Sequence, residues 1–442
     1  MGCISFCSSS LLSIIFIFLC LLNNVAGDDS VIGTQREALE IIIGGGGGSS
    51  PPPEPIPHSN PLERLQLAQR VILKFKQQID VDCGGDPKGI TKTWIENGDV
   101  CKYKGFTCDT LPGKGGKRAV SGVKFNGYRF VGKNNKQLNL QGFLDQLPDL
   151  AFFHANSNNF TSTVPPNIGT DRIKYFYELD LSNNKLQGEF PKEVLKATNL
   201  TFLDLRFNCF HGTIPSDLFK LDVQVIFINN NNFEQQLPYN LGETPALYLT
   251  FANNKFSGLI PSTIGNASKL IEVLFLNNSL SGCLPYEIGY LKNATLFDAS
   301  LNQLTGPIPY SFACLEKMEL LNFASNQLYG EVPELVCKLP KLEKLTLSNN
   351  YITHVGPACR KLIDRKVLNV KNNCILDIPN QKSKAECAHF FSTPKHCPNE
   401  KLMSYVPCKK QRYFHGKEYS KDKREAPAPA PVTYGALVPN GL

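Results

Sequence analysis

A thirteen-residue pattern recurs along the chain and limits what this sequence can fold into. Residues 179–191 (LDLSNNKLQGEFP) return as residues 203–215 (LDLRFNCFHGTIP) and as residues 249–261 (LTFANNKFSGLIP). Each copy has apolar residues five and three positions before an asparagine, another two positions after it, and usually glycine four and proline seven positions after it. Ten copies align on asparagines at steps of 23 to 26 residues: Asn158, Asn184, Asn208, Asn231, Asn254, Asn278, Asn302, Asn326, Asn350 and Asn373.

A repeat of about 24 residues predicts an α/β leucine-rich repeat solenoid, a horseshoe whose concave side is a parallel β-sheet. Leu203 and Leu205 are two positions apart and both point into the core, while Asp204 points out of the opposite face. A buried amide must be hydrogen-bonded, so we expect the asparagines to form a ladder from coil to coil. The Ile-Pro and Leu-Pro endings predict a convex side of loops, short strands and 3₁₀ turns.

Composition divides the chain around this array. Residues 1–27 have the features of a secretory signal, because the 12-residue apolar run at 11–22 is too short to span a bilayer comfortably. We therefore expect a secreted protein with no membrane span. The predicted segments are a signal peptide (1–27), a Gly/Pro-rich linker (28–61), an N-terminal cap (62–119), the repeats (120–379), a Cys-rich C-terminal cap (380–408) and a basic, Pro-containing tail expected to be disordered (409–442).

The formal net charge is +7, and its distribution excludes one class of function. Residues 120–380 carry 23 basic and 22 acidic side chains, whereas residues 381–425 carry 11 basic and 5 acidic ones. The repeats are therefore not a basic nucleic-acid surface, and we expect no nucleic-acid partner.

The outward positions of the predicted strands are the candidate binding residues. They combine aromatic side chains with carboxylates, a mixture that favours recognition of a basic peptide or protein on the concave face of a solenoid. The predicted peptide-binding residues are Glu178, Asp180, Phe202, Asp204, Arg206, Phe227, Asn229, Tyr248, Glu272 and Asp298.

Motifs for catalysis or for cofactor or metal binding are not recognised in the sequence, so we expect a non-catalytic protein. The pair Asp180 and Asp204 was considered for glycoside hydrolysis, but an open solenoid face has no water-excluding cleft. Asn-x-Ser/Thr sequons predict N-glycosylation at Asn159, Asn199, Asn266, Asn277 and Asn293.

Several segments together carry a resemblance to a known family. TFLDLRFNCFHGTIP, SGCLPYEIGYLKNATLFDASLNQLTGPIP and KTWIENGDVCKYKGFTC resemble the repeat domain of plant leucine-rich repeat extensin-like cell-wall proteins over residues 62–408. The resemblance implies an extracellular protein whose repeats bind secreted, basic, Cys-containing signalling peptides of the rapid alkalinization factor type. After Cys408 the chain has APAPAP in place of Ser-Pro-Pro-Pro-Pro repeats, so we expect an extensin-less relative without extensin-type anchoring in the wall.

Fifteen cysteines support an oxidising compartment, and three of them lie in the signal. Similarity to the N-terminal cap of plant repeat proteins implies a Cys101–Cys108 disulfide. Cys337 occupies a place similar to that of Cys359 in the next coil and is expected to pair with it or with Cys314. Disulfides are also expected in a C-terminal cap that holds Cys374, Cys387, Cys397 and Cys408, although His389 and His396 make zinc an alternative there. Cys83, Cys209 and Cys283 stay unassigned.

Two other functions remain open at this stage. One is a defence protein similar to polygalacturonase-inhibiting proteins, which use the same repeat. The other is a structural cell-wall component whose basic tail is attracted to acidic wall polysaccharide. A homodimer is compatible with both.

Overall fold

The computed structural model describes residues 61–408, apart from 83, 112–116, 134–135, 167, 169–174, 394–396, 399–402, 405 and 407. These residues belong to one of two compact units of the chain, Asn60–Leu442. The predicted signal peptide, linker and basic tail lie outside the described residues, as does Cys83.

Packing of apolar and aromatic side chains builds the N-terminal cap. Helix α1 (Pro61–Lys76) buries Ile72 and Phe75, because residues spaced three to four apart share one helix face. Trp94 is fully buried, and its indole nitrogen donates a 2.9 Å hydrogen bond to the carbonyl of Lys104. The cap also contains 3₁₀ turns at Ile90–Thr93 and Val100–Lys102, and a further one, Leu144–Gln146, follows in the first coil. A disulfide joins Cys101 to Cys108, as the resemblance implied.

The concave side is one twelve-stranded sheet. The first two strands pair antiparallel, and every later neighbour pairs parallel. In sheet order the strands are β1 (Phe106–Thr110), β2 (Arg118–Lys124), β3 (Phe152–His154), β4 (Glu178–Asp180), β6 (Phe202–Asp204), β8 (Val225–Phe227), β10 (Tyr248–Thr250), β12 (Glu272–Leu274), β14 (Leu296–Asp298), β16 (Leu320–Asn322), β18 (Lys344–Thr346) and β20 (Leu368–Asn369). The predicted parallel sheet is confirmed.

The coils that begin with β4 to β16 continue into a short second strand and then a 3₁₀ turn, as the proline endings predicted, whereas the coil of β18 continues into a second strand and an α-helix. The second strands form two smaller sheets: β5 (Gln187–Glu189), β7 (Cys209–Gly212) and β9 (Asn232–Phe233); then β11 (Ser257–Gly258), β13 (Ser279–Cys283), β15 (Gln303–Gly306), β17 (Gln327–Val332) and β19 (Tyr351–Val355). The 3₁₀ turns are Lys192–Lys196, Ser216–Lys220, Tyr239–Glu243, Ser262–Asn266, Tyr286–Tyr290, Tyr310–Cys314 and Val336–Lys338.

The asparagine ladder is present in full. The Asn208 amide nitrogen donates to Leu181 of the preceding coil at 2.9 Å and to Leu205 of its own coil at 3.1 Å, while its oxygen accepts from the Leu186 amide at 3.0 Å. All ten aligned asparagines repeat this arrangement. A net hydrogen-bond contribution of about 1 kcal/mol each makes the ladder a substantial part of coil-to-coil cohesion.

A second, shorter series of amides runs beside the ladder. The residue before each ladder asparagine has a left-handed backbone with φ near 55°, a conformation that asparagine tolerates well. Asn253 donates to Asn230 at 3.1 Å, and Asn277 donates to Asn253 at 2.8 Å. Leu301 follows in the next coil at a φ of 55° and interrupts the series.

At the C-terminal end, the four cysteines of the predicted cap pair with different parts of the array. Cys374 pairs with Cys387, but Cys397 bonds to Cys283 and Cys408 bonds to Cys314, both several coils earlier. The chain after the repeats therefore doubles back beside the second strands; we call the described residues of 383–408 the C-terminal strap. A helix of the coil before the last, α2 (Pro357–Asp364), precedes the strap, and α3 (Lys384–Phe391) lies in it.

The remaining cysteine predictions are settled by the same pairings. Cys337 bonds to Cys359, not to the competing Cys314. Cys209 is also disulfide-bonded. Because the sulfurs of Cys387 and Cys397 are in disulfides, neither offers a thiolate to the zinc site considered for this region.

Candidate binding face on the concave sheet

Strand register determines which outward side chains become neighbours. Phe152 is aligned with Glu178 and then Phe202, and one row further along the strands His154 is aligned with Asp180 and then Asp204. These alignments follow from the parallel pairing of successive coils, which places equivalent repeat positions side by side.

An aromatic line crosses the N-terminal half of this face. The Phe152 ring lies 5.0 Å from His154, His154 lies 6.5 Å from Phe202, and Phe202 lies 6.3 Å from Phe227 in an edge-to-face arrangement. The Arg206 guanidinium carbon lies 5.0 Å from the centre of the Phe227 ring, a cation–π distance. All four rings are half-buried, so their edges and faces remain partly available.

Two carboxylates on this face bind neighbouring polar groups of the protein. One Asp180 oxygen accepts from the Ser182 amide (2.9 Å) and hydroxyl (2.7 Å), and the other accepts from Asn156 at 2.9 Å. Asp298 repeats the arrangement with Ser300 and with an asparagine one coil later. Both aspartates are buried, so the expectation that they are displayed to a ligand is wrong. The Asp-x-Ser spacing explains why these carboxylates are hydrogen-bonded within the protein, because residues two positions apart lie on the same face of a strand.

Asp204 and Arg206 form a buried ion pair with a nitrogen–oxygen distance of 2.9 Å. Burial raises the pKa of Asp204 to about 8, while the charge of Arg206 opposes the rise and that of Asp180 adds to it. Asn229, also buried, accepts a 2.6 Å hydrogen bond from the Thr250 hydroxyl. The predicted roles of Asp204, Arg206 and Asn229 as displayed contact residues are therefore corrected as well.

The other predicted contact residues are half-buried: Glu178, Phe202, Phe227, Tyr248 and Glu272. Glu178 lies 2.7 Å from the Nε2 atom of His154, a residue of this face that is not among the predicted binding residues. The structure thus concentrates the accessible aromatic and acidic groups between β3 and β12.

An apolar cluster in the centre of the face was missed. Ala252, Leu274 and Leu296 form it, and half-buried Phe227, Leu276 and Leu320 pack against them, all separate from the main core. The available signal was the run of aliphatic residues at outward positions of successive repeats, which usually carry polar groups. The face is therefore aromatic and acidic in its first half and apolar in its centre.

The sequons fall into two groups. Asn199, Asn266 and Asn293 are exposed in or beside the 3₁₀ turns, away from the concave strands. Asn159 and Asn277 are half-buried next to the asparagine ladder. Glycosylation at all five stays a prediction, and glycans at the three exposed positions would leave the aromatic line uncovered.

Within the described ranges, His, Cys, Asp and Glu side chains do not assemble into groups of three that could hold a metal ion. No helix in the described part of the chain combines the length and apolar character that a membrane crossing requires.

Comparison with known proteins supports the leucine-rich repeat architecture. The Leucine Rich Repeat family matches residues 176–196 and 199–221. Leucine-rich repeat extensin-like proteins 4 and 2 of Arabidopsis thaliana are 41% and 37% identical over 215 and 186 residues, which are 49% and 42% of this chain. The chain has the leucine-rich repeat fold and is similar to the plant extensin-like proteins over these regions. The matched regions make up 40% and 22% of those two leucine-rich repeat extensin-like relatives.

Solved structures support the same fold for this leucine-rich repeat protein. A TDR receptor has a TM-score of 0.53 at 30% identity, with 57% of this chain and 43% of that chain covered. The ectodomain of the Arabidopsis thaliana receptor kinase GASSHO1/SCHENGEN3, solved in complex with CASPARIAN STRIP INTEGRITY FACTOR 2, has a TM-score of 0.52 at 25% identity, with 70% and 33% covered. A plant ice-binding protein, at a TM-score of 0.55 and 21% identity, shares the fold alone and covers 72% of this chain and 95% of its own.

Proposed function

We propose that this chain is a secreted, non-catalytic binding protein of the plant cell wall that recognises a basic, Cys-containing peptide on its concave face. The observation that carries the proposal is the aromatic line from Phe152 to Phe227, which lies among carboxylates on an open, ordered sheet. Large, partly exposed aromatic side chains are the usual energetic anchors of protein recognition.

The corrected aspartates have a different role in this proposal. Asp180 accepts hydrogen bonds from neutral serine and asparagine groups, so the contacts described for it do not neutralise its negative charge. Such fixed charges attract a basic partner at a distance even when they do not touch it. Direct polar contacts then fall to Glu178 and Glu272, which are half-buried.

Separate observations support the proposed extracellular location and the proposed class of ligand. Disulfides are typical of exported proteins, and the homologues carry extensin-like names. The GASSHO1/SCHENGEN3 ectodomain was solved in complex with CASPARIAN STRIP INTEGRITY FACTOR 2, which supports a binding role for a protein of this fold.

The test is a binding assay with a panel of synthetic, oxidised, basic Cys-containing peptides and the full chain. We expect the double variant Phe202→Ala/Phe227→Ala to weaken binding of any captured peptide by about 10- to 100-fold, because two aromatic anchors are lost. Tyr239→Ala is the matched control, since this tyrosine is 74% exposed in a 3₁₀ turn. Unchanged affinity in the folded double variant would contradict the proposal.

A charge test distinguishes direct contact of the peptide with aromatic side chains from electrostatic attraction during its approach. Glu178→Gln and Glu272→Gln together are expected to slow association and to reduce its dependence on salt, because surface charges act mainly on the rate of encounter. Glu316→Gln, an exposed residue outside the concave strands, is the control. If the protein instead inhibits a fungal polygalacturonase and captures no basic peptide, the inhibitor alternative replaces this one.

A further inference from the structure

A polar cavity lies far from the aromatic line, between the C-terminal strap and the last coils. Its volume is about 370 Å³, and Gln327, Asn349, Tyr351, Lys382, His389 and Thr393 are among the residues that line it. That volume is at the lower end of the range for small-ligand sites, which is enough for about one or two sugar rings but not for a folded peptide.

The walls of this cavity are held in place before any ligand arrives. Tyr351 on β19 and Phe390 on α3 stack face to face, with ring centres 3.5 Å apart and planes at 5°. The Cys374–Cys387 disulfide ties the same helix to the last coil. Because the two sides of the cavity are fixed by a stack and a covalent bond, binding there costs little ordering of the protein.

The charges beside the cavity favour an anion. The Lys382 ammonium lies 5.0 Å from the centre of the Tyr351 ring, which holds this cation at the cavity wall. Glu386 of the strap accepts hydrogen bonds from the amide and hydroxyl of Ser383 in a capping box and does not line the cavity. These hydrogen bonds lower the pKa of Glu386, and the charge of Lys382 adds a smaller lowering. Lys382 lines the cavity itself, so its charge also acts on a negative group that enters there.

The neutral lining groups suit a ligand rich in hydroxyls. Gln327 supplies a side-chain amide that can both donate and accept, Thr393 supplies a hydroxyl, and His389 supplies a ring nitrogen. A divalent cation is disfavoured because the lining residues that the structure describes include no carboxylate. A phosphate group is less suited than a carboxylate, since phosphate sites usually gather several cations or a row of backbone amides.

We propose that this cavity binds an acidic sugar: the Lys382 ammonium pairs with the carboxylate of a uronic acid residue, and Gln327, Thr393 and His389 bind its hydroxyl groups. The same chemistry is offered by a free uronic acid and by a uronic acid unit within a polysaccharide. The site is separate from the concave face and does not depend on peptide binding there.

Calorimetric titration of the full chain tests this with three probes: galacturonic acid, its linear trimer and the trimer methyl ester. Both acids are expected to bind, and the ester at least tenfold more weakly, because esterification removes the charge that Lys382 recognises. Stronger binding of the trimer than of the monomer assigns the site to a polysaccharide, and equal binding assigns it to the free sugar. Absence of binding by both acids would overturn the proposal.

Variants locate the binding. Lys382→Gln is expected to weaken binding of the acidic trimer at least tenfold, and Gln327→Leu to weaken it several-fold without changing charge. Lys384→Gln, an exposed lysine of the same segment that does not line the cavity, is the matched control and should stay within twofold. Equal losses for Lys382→Gln and Lys384→Gln would reduce the effect to general charge attraction and refute the site. The concave variant Phe202→Ala/Phe227→Ala should bind the trimer normally.

Discussion

Aromatic packing closes the N-terminal end of the array, whereas disulfides that lead back to earlier coils hold its C-terminal end. Phe75 and Trp94 of the N-terminal cap form a continuous set of ring contacts with Phe125 and Phe143 of the first coil, with Phe75 and Phe143 stacked at 4.0 Å. Its described disulfide, Cys101–Cys108, spans a sequence separation of 7. The strap disulfides Cys283–Cys397 and Cys314–Cys408 span 114 and 94 residues.

The difference shows two solutions to the same physical problem. In a solenoid each coil contacts only its neighbours, so an unprotected end exposes core and can unfold coil by coil. The aromatic cap removes the first coil from solvent. The strap joins coils that are distant in sequence, so the last coils cannot separate from the array without opening a large covalent loop.

The largest effect is expected from the aromatic cap. Trp94→Ala should lower the free energy of unfolding by about 4 kcal/mol, because a fully buried large ring is replaced by a cavity and the Lys104 carbonyl loses its donor. Chemical denaturation monitors the change, with Ile95→Ala as control, since this neighbour is 55% exposed. A loss below about 1 kcal/mol would mean that the cap does not protect the array.

A second experiment compares the two kinds of disulfide. The chain-entropy relation assigns a stabilisation of about 2.5 kcal/mol to Cys101–Cys108. It assigns about 4 kcal/mol to Cys283–Cys397, a value that already takes into account the overlapping loop that Cys314–Cys408 closes. Paired Cys→Ser variants should therefore differ by about 1.5 kcal/mol in unfolding free energy. Limited proteolysis should cut the strap first in the Cys283/Cys397 variant. Equal stabilities together with an uncut strap would contradict the covalent account.

The smallest effect concerns the space that the strap occupies. Gly306 and Gly330 have similar left-handed backbones, with φ of 88° and 82°, so alanine is strained at both. At Gly306 the added Cβ would also lie 2.3 Å from the sulfur of Cys397, whereas at Gly330 the nearest atom is 3.8 Å away. Gly306→Ala should therefore cost about 1–2 kcal/mol more than Gly330→Ala in denaturation. Identical losses of stability in the two variants would contradict the position of the strap beside Gly306.

The fold could be predicted from the sequence because the repeat pattern occurs ten times. The ladder asparagines and the core pairs, such as Leu203 and Leu205, follow from periodicity and the need to satisfy a buried amide, and both are present. The sequence-based prediction was less successful for the binding face. Asp180 and Asp204 do lie at outward positions, but periodicity gives only the direction of a side chain and not the partners that neighbouring coils bring to it.

The solenoid, its strand register and the side on which the outward strand residues lie could thus be predicted from the sequence, since each depends on spacing within a single repeat. The accessibility of those outward residues, the pairing of the cysteines and the polar cavity beside the strap, with Lys382 at its wall, became known only from the folded structure. Those outcomes depend on contacts between residues as far apart as Cys283 and Cys397, which no local pattern encodes.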